Sequence, residues 1–326
     1  MRCHLLAVPI LLSAAIPYAQ APVAQQQQNT AAPQHQRAPQ PQQHGGGPWN
    51  NDLMIRWSAD KQSFGPESVF VESGGVPSVT ASENGILVAA FQWFPFTRME
   101  AFDRVTVRFS ETGGISWSDP VPIQVNGLPA GFQRPFDPTI VALPGKAFRM
   151  YFSGGPKGPG LPGTGANICT YSARSDDGIH YDFEPGVRFT VKDHRVIDCA
   201  VAWDGRQWLY IAPIGRPDEG AYAATSPDGL TFTRLHDVPS SNGYNWTGNL
   251  LRIGERLRFF GGSHQGIWWA ECTAPGNWSA PHTIGLRGGD PAAGIGKDGK
   301  LFIIYVSTPK RNAPSPLMRT GAPAQR

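Results

Sequence analysis

Between Asp52 and Thr308 the apolar side chains come in short bursts, alternating with polar ones or continuous, as in Phe148-Arg-Met-Tyr-Phe152 and Leu301-Phe-Ile-Ile-Tyr-Val306. Bursts of this length, rich in β-branched and aromatic residues and bounded by Gly, Pro, Asn and Asp, predict strands joined by turns. No stretch in the middle of the chain carries a capped apolar stripe of period 3.6, so long helices are not expected. The predicted class is all-β.

The bursts follow an internal repeat. One hairpin signature, Ser-x-Asp-Gly-x-x-aromatic, is clearest at Ser175-Asp-Asp-Gly-Ile-His-Tyr181 and Ser226-Pro-Asp-Gly-Leu-Thr-Phe232. Related copies start at Glu111, where Ser110 supplies a shifted serine, at Ser58 and at Cys272, and end on Trp117, Phe64 and Trp278. Such a segment is a turn between antiparallel strands. Ser or Asp bonds the turn backbone, Gly adopts the left-handed conformation, and the aromatic packs back into the fold. These aspartates are read as scaffold. A second strand pair precedes each hairpin, opening at Val76, Asp137, Asp198, Trp246 and Asp290. Repeats of this period and count predict a five-bladed β-propeller. The chain opens with a hairpin, at Ser58, and closes with a first-strand pair, at Asp290. Closure of the ring by N-terminal and C-terminal strands paired in one blade is therefore expected.

Composition fits this picture: 38 Gly and 31 Pro serve many turns, aromatics make up 11% and charged residues only 16%. A net charge of +3 with scattered arginines gives no footprint for nucleic acid or a polybasic membrane contact. Residues 1–21 read as a secretory signal, with an apolar core from Leu5 to Ile16 and a small-x-small site at Ala19-Gln20-Ala21. A Gln/Pro-rich disordered linker, 22–51, the propeller, 52–308, and a disordered tail, 309–326, complete the expected layout. The protein is expected to be secreted or periplasmic, with no membrane insertion, and monomeric. Without the signal, Cys169, Cys199 and Cys272 remain, so at most one disulfide forms within the chain. Their spacing makes no metal motif, and no cofactor motif is present.

The hairpins resemble the Asp-box turns of sialidase-like propellers. The strand openings Phe136-Asp137-Pro138, Ile197-Asp198-Cys199 with Trp203-Asp-Gly205, and Gly289-Asp290-Pro291 resemble the five-bladed glycoside hydrolases of the arabinanase, xylosidase and fructosidase group. That resemblance implies a base, a pKa-modulating Asp and an acidic Glu on innermost strands around a central funnel. Asp198 matches the modulator. The stretches where base and acid would fall, Val76-Pro77-Ser78 and Asn245-Trp246-Thr247, carry no carboxylate.

What the sequence offers instead is a shared approach to three strands: Arg134-Pro-Phe-Asp137, Arg195-Val-Ile-Asp198 and Arg287-Gly-Gly-Asp290. First strands line a propeller axis, so three Asp and three Arg are expected at one mouth of the funnel. Asp137, Asp198 and Asp290 are the candidate catalytic groups, with Arg134, Arg195, Arg287, Trp246, His264 and Trp93 as candidate contacts to a carbohydrate ligand. An Arg beside each Asp would hold its carboxyl ionised, which suits a base but not a general acid. Glu219 is the reserve candidate for the acid. Two functions follow: a glycoside hydrolase acting at the funnel, or a non-catalytic propeller that binds glycan or protein. For the arginines, a ring of salt bridges pinning blades together is the competing structural reading.

Overall fold

The computed structural model describes residues 48–156, 168–240 and 243–308, which lie in one compact unit beginning at His44. The expected signal, most of the linker and the tail lie outside the described residues. Five sheets stand as blades around an axis, antiparallel except that Gln124–Asn126 joins the outer edge of the second in parallel. The first blade runs outward from Gly74–Ala81 through Leu87–Trp93 and Arg104–Ser110, and the second from Phe136–Ala142 through Phe148–Gly154, Cys169–Ser175 and His180–Phe189. The third runs from Ala200–Trp203 through Trp208–Pro213 and Ala221–Ser226, and the fourth from Tyr244–Ile253 through Arg256–Ser263 and Trp268–Ala274. The fifth combines Gly289–Ile295 and Leu301–Val306 with Leu53–Ser58 and Ser68–Val71. In this fifth blade Leu53 pairs with Val306 and the ladder runs on to Ser58 against Leu301. Innermost strands of successive blades lie side by side, and the fifth lies against the first, so the ring is continuous.

The core sits in the seams. Among the described residues the buried apolar side chains form five clusters, each drawn from two neighbouring blades. Val88, Ala90 and Val105 of the first blade meet Ile140, Met150 and Phe152 of the second, and Leu209 and Ile211 of the third meet Trp246 and Phe259 of the fourth. A strand whose two faces both meet neighbouring blades must be apolar on both. This explains continuous runs such as Leu301–Val306, of which only Val306 is partly exposed. Truncating a fully buried ring such as Phe302 to Ala costs about 3–5 kcal/mol.

The repeated hairpins fasten the outer strands. The Ser226 hydroxyl accepts from the Gly229 N–H at 2.9 Å and donates to Asp228 at 2.8 Å. Asp228 Oδ1 in turn accepts from the N–H groups of Leu230 and Thr231. Ser175 and Asp177 repeat the pattern with Gly178, Ile179 and His180. Gly229 has φ 72°, and a Cβ there would meet the Tyr151 hydroxyl at 2.7 Å, so the turn needs glycine for both conformation and space. Phe232, the aromatic that ends this signature, packs edge-on against Tyr151 of the second blade and at a tilt against Tyr210 of the third.

One stabilising feature escaped the sequence reading. Arg149 lies buried in the second blade and grips Glu184 with two hydrogen bonds, at 2.8 and 2.9 Å, while a third goes to the Asp228 carbonyl. The pair thus ties the second blade to the turn of the third. Among the described residues Cys169, Cys199 and Cys272 are free thiols. Cys199 is buried, which pushes its thiol up to about 12.

Candidate active site

Four of the five innermost strands have a residue with left-handed backbone at or just before their first rungs of ladder: Val76 (φ 49°), Asp137 (φ 50°), Asp198 (φ 54°) and Asp290 (φ 41°). In the first, second and fifth blades this residue falls inside a break in register, between Gly75 and Ser78, Phe136 and Thr139, and Gly289 and Ala292. Proline follows in each of those three, and its missing N–H costs the bulged ladder nothing. Asp tolerates the left-handed region better than most residues, and a β-branched Val there is strained. A bulge of this kind redirects one side chain out of the strand's alternation. Asp137 and Asp290 sit in such breaks, Asp198 stands just before its strand with the same left-handed backbone, and the three carboxyl groups converge.

The convergence is read from their interactions. Asp137 accepts hydrogen bonds from the Ser153 hydroxyl and from both the backbone N–H and the carboxyl group of Asp198. Asp290 is close enough for its charge to act on both others. Asp137 is buried, whereas Asp198 and Asp290 keep some solvent contact although protein surrounds them on their other sides. Burial raises all three. Asp137 is pushed up to about 7, despite the Ser153 and Asp198 hydrogen bonds that pull it down. Asp290 is pushed up to about 6. Asp198 stands well above its ordinary value, because burial and the charges of Asp137 and Asp290 all disfavour its ionised form.

This reverses the expected electrostatics. Arg134 turns away to Asp103, at 3.2 Å, and to the Phe102 carbonyl. Arg195 is exposed, and its charge is the least of the named influences on Asp198. Arg287 is exposed and borders a separate cavity beside Arg56, Glu67 and Tyr305. Among the described residues none of the three arginines makes an ion pair with the Asp three positions on. The bulge and the left-handed residue reorient the chain between them, so sequence proximity does not become contact. No ring of Arg–Asp salt bridges forms, and the carboxyls are raised rather than lowered.

The aromatic candidates also separate. Trp246 is 3% exposed and packs among Phe259, Trp268 and Trp278 in the seam between third and fourth blades, so it is core rather than a sugar platform. Trp93 ends the second strand of the first blade, donates to the Glu72 carbonyl at 3.2 Å and lies under Arg98. His264 is exposed in the loop after Arg256–Ser263. Glu219 is spent at home, accepting from the Arg216 N–H and pairing with its guanidinium.

Two partners were missed. Ser153, opposite Phe136 on the second strand, donates to Asp137. Its pairing with the site strand was the only available signal. Asn249 of the fourth blade donates to the Pro77 carbonyl at 3.2 Å and meets Ser78, whose hydroxyl accepts from the Ile140 N–H. First and fourth blades are not neighbours in the ring, so this link spans its axis. It joins the two strands on which the resembling hydrolases would carry base and acid. Among the described residues no group of three or more His, Cys, Asp or Glu is arranged to hold a metal ion.

No protein-family model matches the sequence, and no curated protein matches it. Solved structures do. A GH32 β-fructofuranosidase mutant from Bombyx mori, in complex with sucrose, aligns over 71% of this chain with TM-score 0.53 and 12% identity. An exo-β-1,3-galactanase from Clostridium thermocellum aligns over 72% with TM-score 0.53 and 10% identity. The fold is that of the five-bladed glycoside hydrolases. An α-L-arabinofuranosidase from Lactobacillus brevis shares the propeller over 76% of this chain and 87% of its own, with TM-score 0.50 and 15% identity. Only 54% of the fructofuranosidase and of the galactanase is spanned, so this chain corresponds to about half of each. At such identities the likeness speaks for the glycoside hydrolase propeller as a scaffold, and chemistry must be argued from the mouth itself.

Proposed function

We propose that this protein is a carbohydrate-active hydrolase, exported to the periplasm or beyond, that cleaves a glycosidic bond at the funnel mouth. The observation that carries the reading is the hydrogen-bonded Asp137–Asp198 pair beside Asp290. Glycoside hydrolysis needs one carboxyl group protonated and another ionised at the same pH. With Asp198 well above its ordinary value and Asp290 near 6, neutral pH leaves a proton on the pair and a charge on Asp290. Asp198 then gives its proton to the leaving glycosidic oxygen as the bond to the anomeric carbon breaks. Asp290 takes a proton from the incoming water or attacks the anomeric carbon directly, the choice being set by carboxyl separation. The sequence motifs at 1–21 support export.

A second reading, a propeller that binds glycan or protein without turnover, is favoured by the absence of carboxylates at Val76-Pro77-Ser78 and Asn245-Trp246-Thr247. A screen of polysaccharides and aryl glycosides with the wild type and Asp198→Asn separates the two. Hydrolysis that falls by about a thousandfold or more in the variant, the scale expected when acid catalysis and its partner are both lost, supports the hydrolase. Glycan binding without turnover by the wild type supports the second reading.

A further inference from the structure

A cavity of about 590 Å³ opens among the first three blades, lined by Ala81, Ala142 and Trp203 where their innermost strands end. Asp137 is the second residue of the strand that Ala142 ends, so the cavity lies at the opposite end of the propeller, roughly 17 Å from the carboxyl cluster at about 3.3 Å per residue. Its size is that of a small-ligand site, about 300–1,000 Å³. Trp203 is 38% exposed, one of few large apolar residues left open. One side of its indole is anchored edge-on against Trp208 at 5.5 Å. The turn that follows is fixed by Asp204, which accepts from the N–H groups of Arg206 and Gln207 at 2.7 and 2.9 Å. The ring is thus held in place before any ligand arrives.

Charged groups surround this platform. Arg149 is already neutralised by Glu184, and Arg174 by Asp176 at 2.9 Å. The Glu83 carboxylate accepts from the Gly145 N–H through Oε2, and Asp228 accepts its turn bonds through Oδ1. Among the described residues Glu83 Oε1 has no hydrogen-bond donor, and the one ion pair of the Arg174 guanidinium is with Asp176. The lining therefore offers donors and acceptors around an open indole, with excess negative charge from Glu83 and Asp228. A flat ring flanked by such groups suits the apolar face and vicinal hydroxyls of a sugar, and the charge excess disfavours an acidic one.

We propose that this cavity is a second saccharide-binding site, which takes a neutral sugar unit stacked on Trp203. It does not depend on hydrolysis at the mouth. The test measures binding of immobilised xylo-, arabino-, galacto- and cello-oligosaccharides, with oligogalacturonate as the acidic probe, to the full chain and its variants. At least one neutral probe is expected to bind, and Trp203→Ala to weaken it about tenfold or more, as loss of an aromatic anchor does. Trp203→Phe should restore most of the affinity, Glu83→Ala should weaken it severalfold without touching the ring, and Asp198→Asn should leave it unchanged. Oligogalacturonate should bind about tenfold more weakly or worse. Absence of binding by every neutral probe, equal affinity in Trp203→Ala and Glu83→Ala, or preference for oligogalacturonate overturns the proposal. Loss of binding in Asp198→Asn alone would assign the ligand to the mouth and overturn it as well.

Discussion

Aspartates at the two ends of this propeller experience opposite electrostatics. In the hairpin turns, hydrogen bonds from backbone N–H groups and the neighbouring Ser hold Asp228 down at about 2. Asp60 is lowered in the same way. Burial works to raise Asp177, but bonds from the His180 side chain, the His180 and Ile179 N–H groups and Ser175 outweigh it. At the mouth the order is reversed: burial dominates, few donors reach the carboxyls, and Asp137, Asp198 and Asp290 all rise. Residue type is the same, and what differs is the local backbone. A turn directs several N–H groups at one carboxylate. Left-handed backbone at the starts of three innermost strands, two of them bulged, brings three carboxyl groups together. The first arrangement fastens a turn, and the second gathers three raised carboxyl groups in one place.

The difference can be tested through stability. An aspartate raised to about 7 keeps its proton in the folded state where the unfolded chain has lost it. Its contribution to stability is complete below the unfolded value, about 4, and is lost as pH rises to about 7. Asp137→Asn should therefore stabilise the protein at pH 8, by up to about 4 kcal/mol, and give no gain at pH 4, as measured by denaturant unfolding at the two values. A gain of equal size at both pH values would mean packing rather than ionisation is responsible.

The turn should behave in the opposite sense and more weakly. Asp228 is depressed, so its stabilising effect is present above about pH 4 and lost as pH falls towards 2. Asp228→Ala should cost about 1 kcal/mol at pH 7, a modest figure because the side chain is exposed, and the cost should shrink below pH 4. Thermal melts across that range decide. A destabilisation that persists undiminished at pH 2 would show that the carboxylate charge is not what holds the turn.

The fold was legible because its turn chemistry is local. Ser226, Asp228, Gly229 and Phe232 each perform in the structure a task that sequence spacing alone suggests. The site was legible only in part. Asp137, Asp198 and Asp290 stand out because they open equivalent strands, but their electrostatics depend on a register break and on burial by the whole ring, which no local pattern encodes. Arg134 misled because a positive φ at Asp137 separates it from its neighbour in sequence and leaves it beside Asp103. Trp246 misled because a strand opening in the fourth blade faces a seam rather than the axis. The link from Asn249 to Pro77 joins residues 172 positions apart, and nothing near either one announces it.

The central claim, that the mouth carboxyls titrate above the ordinary carboxylate value while the turn carboxyls titrate below it, is tested most directly by ¹³Cγ NMR titration of the aspartates, assigned with single Asp→Asn variants. Midpoints near 7 for Asp137 and 6 for Asp290, with Asp198 well above 3.8 and Asp60, Asp177 and Asp228 all below it, are predicted. Mouth carboxyls that ionise at or below 3.8, together with those of the turns, would contradict the account.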